Sequence, residues 1–146
     1  MTLIPEDGLV WLVALLRDGR DYYRFVEQET LDVEAREAFH LAADVRSRLL
    51  AELVASGAVA DAPVPVAPDL DPDHGYAPLR RQFDPQLPAL QGLALHRRDA
   101  FVLRLMESAF RNNGSLPVRA ALKRAYPDMK RCAEMMWRLS LRHQAA

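Results

Sequence analysis

The chain has 146 residues, half of them apolar and 27% charged, which suits one globular domain with a sizeable core and excludes a disordered chain. Nineteen basic residues against twenty acidic ones leave a formal net charge of −1, without the basic excess that a nucleic-acid binder carries. A lone cysteine, Cys132, rules out an internal disulfide, and the longest apolar run, Leu9 to Leu16, is too short for a bilayer span of about 20 residues.

Glu6 and Asp7 precede that run where a signal peptide would carry basic residues, so the reading is a cytoplasmic protein with no membrane or nucleic-acid partner. The first helix is predicted from about Pro5 to Glu29. Pro5 suits a first turn, and Glu6 and Asp7 suit the positive end of the helix dipole. Leu9, Leu12, Leu16, Gly19, Tyr23 and Val26 then share one face. The second helix is predicted from about Asp32, a candidate N-cap, to Ser56, with Gly57 as its stop. Its stripe is Ala35, Ala38, Phe39, Ala42, Val45, Leu49 and Leu53.

A linker over about 58–87 follows. Pro63, Pro65, Pro68 and Pro72 predict extended backbone there, and Tyr76 to Pro88 could hold one short helical turn. The third helix is predicted from about Pro88 to Asn112, and Asn113-Gly114-Ser115 reads as a turn. The fourth spans about Leu116 to His143, and Pro127 inside it predicts an interruption near Tyr126.

Loop lengths choose among topologies. Helices joined by a few residues form antiparallel hairpins, here the first with the second and the third with the fourth. A helix of about 25 residues is about 38 Å long, a distance that about 30 connecting residues easily cover. The predicted fold is therefore all-α: a single four-helix-bundle domain over 1–146, two antiparallel hairpins joined by a long Pro-rich crossover, as in ferritin-like bundles. A simple up-and-down bundle with a long loop is the alternative.

Three stretches carry a resemblance. They are Leu15-Leu16-Arg17-Asp18-Gly19 followed by Tyr23; Phe39, Ala42, Arg46, Glu52 and Leu53; and Tyr126, Asp128 and Lys130. In these the chain resembles a bacterial family of uncharacterised four-helix-bundle proteins, distantly related to rubrerythrins and ferritins. The resemblance implies the fold and no agreed activity.

Ferritin-like di-iron sites draw a glutamate from each of two helices and a Glu-x-x-His pair from each of the other two. The resemblance would place a glutamate at Leu16, a Glu-x-x-His pair at Arg46 and Leu49, and a histidine at Ala133. None of these residues can ligate iron or manganese, and arginine has no acceptor at all. His96 and Asp99 keep an i, i+3 spacing on the third helix, and with Glu27 they could make a reduced metal site or a zinc site. The plainer reading is a satisfied interior pair, with the Arg46 charge standing where relatives hold a metal and Asp99 as its partner. The competing reading sends Arg46 along the helix edge into solvent.

Cys132 lies on an apolar face and reads as an inert core residue, and Met129, Met135 and Met136 read as packing. His40 belongs to the solvated face of the second helix, His74 lies in the Pro-rich linker and His143 at the C-terminus. Lys123, Arg124, Lys130, Arg131 and Arg138 are interleaved with Asp128 and Glu134, which argues against a phosphate footprint. On the first helix a second stripe, Trp11, Leu15, Tyr22 and Phe25, lies roughly 110° from the core stripe and predicts a homodimer face. The alternative is that it packs on another helix or under the crossover. The expected function is a non-catalytic bundle, stress-related or accessory, acting through protein contacts and needing no cofactor. The rivals are a metal-dependent oxidase or metal-storage protein around His96 and Asp99, and a small-ligand binder using the bundle core.

Overall fold

A computed structural model describes residues 8–59 and 72–145, and all regular structure in them is helical. Five helices pack together: α1 (Gly8–Glu29), α2 (Val33–Ala55), α3 (Ala77–Gln82), α4 (Gly92–Asn112) and α5 (Leu116–Ala145). The residues Pro5, Glu6 and Asp7 expected to open the first helix, most of the Pro-rich stretch, and the side chain of His143 lie outside the described residues.

Local chemistry explains most of the boundaries. Asp32 is extended, and its carboxylate accepts the Ala35 N–H at 3.1 Å, so it caps α2 as the sequence predicts. Gly57 follows the helix with φ +78°, the left-handed conformation that glycine adopts without a Cβ penalty. At the next hairpin Asn113 Oδ1 accepts the Ser115 N–H, and Ser115 Oγ accepts the Val118 N–H at the start of α5.

Two expectations about boundaries need correction. The third long helix starts at Gly92 and not at Pro88, because Leu87 to Gln91 are spent on two successive turns closed by Leu90 N–H to Leu87 O and Gly92 N–H to Ala89 O. Pro127 does not interrupt the last helix, which runs through it from Leu116 to Ala145. The proline sits on the solvent side beside exposed Lys123. Its missing N–H frees the Lys123 carbonyl where water can reach it, so the usual cost of an interior proline is reduced.

The partners across each helix pair show direction. Between α1 and α2, Gly19 meets Arg46 while Glu27 meets His40. From α1 to α4, Gly8 faces Ser108 and Tyr23 faces Asp99. Glu107 of α4 meets Tyr126 of α5, while Gly92 meets Ser140. Across α2 and α5, Glu52 pairs with Arg124 and Asp32 with Arg142. In each case one number rises as the other falls, so every neighbouring pair of long helices is antiparallel. The order around the assembly is α1, α2, α5, α4, with the short α3 laid against α1. The core lies between the four long helices; Leu16, Tyr23, Phe39, Leu49, Leu95, Val102, Met129 and Met136 are all buried in it. No helix among the described residues is long and apolar enough to cross a membrane.

The second stripe of α1 is spent inside the chain, which corrects its expected role as a dimer face. Leu15 and Tyr22 are fully buried, and Trp11 packs against the core. The Phe25 ring meets Phe83 at 6.4 Å and carries the Arg80 guanidinium 4.3 Å from its centroid. An isolated helix projection cannot know that α4 and the α3 segment both press on α1.

At Gly92 the α4 backbone comes close against that of α5. A Cβ there would lie 2.6 Å from Ser140 N and 2.8 Å from Met136 O, backbone atoms that cannot rotate away. Gly92→Ala is therefore expected to destabilise the protein by about 1–3 kcal/mol, despite a helix-propensity gain of up to about 1 kcal/mol. Urea unfolding checks this, with Gly114→Ala, where a Cβ meets nothing within 4 Å, as a control expected to stay within about 0.5 kcal/mol of the wild type.

Candidate functional site

The most unusual group in the interior is Arg46, which is 0% exposed although it projects from the middle of α2. A guanidinium cannot be buried alone, and the chain supplies a partner from each neighbouring element. Arg46 Nη2 donates to Asp99 Oδ1 of α4 at 2.8 Å, and Nη1 donates back to the Ala42 carbonyl at 3.0 Å. From α1, Tyr23 donates its hydroxyl to the Asp99 carboxylate at 3.0 Å. Tyr76, at the N-cap of α3, donates to the same carboxylate and accepts from Arg46 Nη2 at 3.2 Å.

Aromatic rings wall the pair. The Arg46 guanidinium stands 4.7 Å from the Tyr23 centroid and 5.7 Å from that of Tyr76, within cation–π range. Tyr22 and Tyr23 meet edge to face at 5.3 Å. Tyr22 extends the polar chain by donating to Gln91 Oε1, whose amide in turn donates to the Leu79 carbonyl at 2.8 Å. Gly19 makes room for all this: a Cβ on it would come within 2.8 Å of Arg46 Nε and 3.2 Å of the Tyr76 ring. Arg46 Nε is thereby covered by the α1 backbone and has no hydrogen-bond partner.

Burial is the largest influence on Arg46 and works against its charge, but the Asp99 carboxylate together with Tyr76 and Tyr23 more than offsets it, and the guanidinium stays protonated, above its ordinary range. Burial, and then the Asp99 charge, push the Tyr23 and Tyr76 phenols well above their usual range. Cys132, close enough to feel Arg46, has its thiol pushed up to about 12, chiefly by burial. A thiol held protonated is a poor nucleophile, and phenols held protonated are poor bases.

The crossover is tied to the same centre. The Tyr76 N–H donates to the Asp18 carboxylate at 2.6 Å, and Arg98 donates to the carbonyls of Gly75 at 2.7 Å and Pro72 at 2.8 Å. Burial raises the Asp18 carboxyl, and the N–H groups of Tyr76 and Ala77 pull it partly back.

The three candidate metal ligands are dispersed, which corrects their grouping. Asp99 turns to Arg46, while His96 Nδ1 turns to the Ala133 carbonyl at 2.7 Å with its ring beside Trp137. Glu27 pairs with exposed His40 on the surface between α1 and α2. Among the described residues no group of three or more His, Cys, Asp or Glu side chains is placed to hold a metal ion. The donor set does not fit iron or manganese, since the central position is taken by a fixed cation and Asp99 Oδ1 already accepts from Arg46, Tyr23 and Tyr76.

Sequence reasoning singled out Arg46 and Asp99 and missed the rest of the network. Tyr76 lies outside the predicted helices, Gln91 falls in the first turn predicted for the third helix, which the structure begins only at Gly92, and Tyr22 belongs to the stripe expected to face outward. The available signal was a tyrosine directly between Gly75 and the Ala77-Pro78 helix start, an aromatic anchor in an otherwise turn-forming stretch. Comparisons with protein-family models, curated proteins and solved structures find no match for the chain.

Removing the cation is expected to cost more than neutralising the anion. Arg46→Ala strands a buried carboxylate and should lower stability by about 3–5 kcal/mol. Asp99→Asn keeps an acceptor for the two phenols and the guanidinium, and its loss should be smaller. Paired urea titrations of the two variants decide it, and equal effects below about 1 kcal/mol would show that the pair contributes little.

Proposed function

We propose that the protein is a ferritin-like four-helix bundle that works without catalysis, through contacts its surface makes with protein. The observation that carries this reading is the Arg46–Asp99 pair at the centre, closed off by Tyr23 and Tyr76. Antiparallel neighbours and a long connection between the two hairpins favour the ferritin-like topology. In that topology the centre of the bundle is where a metal would be held, and here a guanidinium fills it.

Protein purified without chelators or affinity tags should then carry far less than one metal per chain by elemental analysis. Near-stoichiometric iron, manganese or zinc that is lost in Asp99→Ala would sink the proposal and restore the metal-dependent alternative.

The contact is proposed to be with a second copy, at one end of the bundle. Among the described residues, six of the eight exposed large apolar ones lie there: Leu31, Val33, Leu87, Leu90, Trp137 and Leu141. Leu31 and Leu87 line one hollow together with Arg142. Arg142 pairs with Asp32 and Glu34, so the patch carries no large excess of one sign and suits a second copy better than a strongly acidic or basic partner. Light scattering at tens of micromolar should give a dimer that Leu31→Glu combined with Leu87→Glu converts to a monomer. A monomeric wild type would remove the self-association part of the reading.

A further inference from the structure

On the opposite end of the α4–α5 hairpin lies a groove of about 530 Å³ that the central network does not touch. Its floor is apolar, made by Met106 and Phe110 of α4 and by Leu122 and Pro127 of α5. That volume falls in the range of small-molecule sites, about 300–1,000 Å³, which are mostly apolar with a few polar groups that set orientation. The polar groups here are lopsided in charge. Glu107 is already engaged, accepting the Tyr126 hydroxyl at 2.5 Å on the rim. Arg111 and Lys123 also line the groove, are exposed, and make no ion pair or hydrogen bond among the described residues. A third cation, Arg119, stands 4.6 Å from the Phe110 ring centroid. An apolar trough with two unengaged cations at its edge complements a molecule that has an apolar body and an anionic head.

We propose that this groove binds a single-chain carboxylate of the fatty-acid class, with the tail on Met106, Phe110, Leu122 and Pro127 and the head between Arg111 and Lys123. Guanidinium and ammonium donors both suit a carboxylate, and the guanidinium can take both of its oxygens. The unbranched Met106 side chain can adjust to tails of different length. Straight-chain alcohols of the same length offer the tail without the charge and should bind more weakly.

Dodecanoate is the probe, titrated calorimetrically below its micellar concentration, with dodecanol as the uncharged counterpart. Dodecanoate is expected to bind, and Arg111→Glu combined with Lys123→Glu to weaken it by about tenfold or more, the effect of losing roughly one charge-assisted contact. Arg111→Gln with Lys123→Gln should weaken it less, and dodecanol should respond to neither pair. Both positions are exposed, so circular dichroism should report an unchanged fold. Methyl resonances of Met106 and Leu122 should shift on binding. The proposal is overturned by any of four results: no dodecanoate binding, binding indifferent to charge reversal, shifts confined to other methyls, or an acidic amphipathic peptide that binds where dodecanoate does not.

Discussion

A buried guanidinium is the constraint around which the rest of this molecule is arranged. Removing Arg46 from water is expensive, and the cost is met only if a carboxylate, ring faces and carbonyls converge on it from several directions. Here they come from four elements: Asp99 on α4, Tyr23 on α1, Tyr76 at the start of α3, and the Ala42 carbonyl on α2 itself. A purely apolar interface between α1, α2 and α4 would tolerate a slip of one turn, because leucine and methionine repack. A pair held at 2.8 Å does not. Sliding any one helix would strand a charge or a phenol, so the network fixes register more than it adds net stability.

The same logic explains Gly19 and the crossover. The α1 backbone has to approach Arg46 closely enough to shield Nε, and glycine alone leaves that space. Tyr76 reaches the pair from outside the long helices, and its ring packs on Tyr23 of α1 and beside the Arg46 guanidinium. Once it is inserted, the backbone beside it is held from both sides: Asp18 takes the Tyr76 N–H, and Arg98 holds the Gly75 and Pro72 carbonyls. A stretch that composition alone reads as an extended connector therefore ends in an anchored segment.

How much was legible in the sequence follows from which signals are periodic. The long helices, the Asp32 cap and the Gly57 stop were readable because capping and 3.6-residue spacing act locally. Arg46 and Asp99 were readable because each is a charged residue on an apolar stripe, which demands a partner. Tyr76 was not, since a turn has no period to show which side chain points inward, and Gln91 was not, since the predicted third helix begins too early and hides the turn that aims it. Tyr22 and Leu15 were misplaced because a helix wheel shows two apolar arcs without showing how many neighbours the helix has. His96 kept the i, i+3 spacing from Asp99 yet turned away to the Ala133 carbonyl, because spacing shares a face but does not choose a rotamer.

Pro127 joins the fold to the surface chemistry. Read as a sequence, it is a helix breaker; in place, it lies on the outer side of α5, where losing one helical hydrogen bond leaves only a hydrated carbonyl. On that side it presents a flat apolar ring without a donor, beside Leu122 and across from Phe110. At the centre of the molecule the Arg46 charge is paired with Asp99, and the thiol of Cys132 is held protonated. On the outer surface of the α4–α5 hairpin, Arg111 and Lys123 make no ion pair among the described residues. The physical asymmetry is between a centre whose charges are paired and covered and an apolar groove with two open cations at its edge.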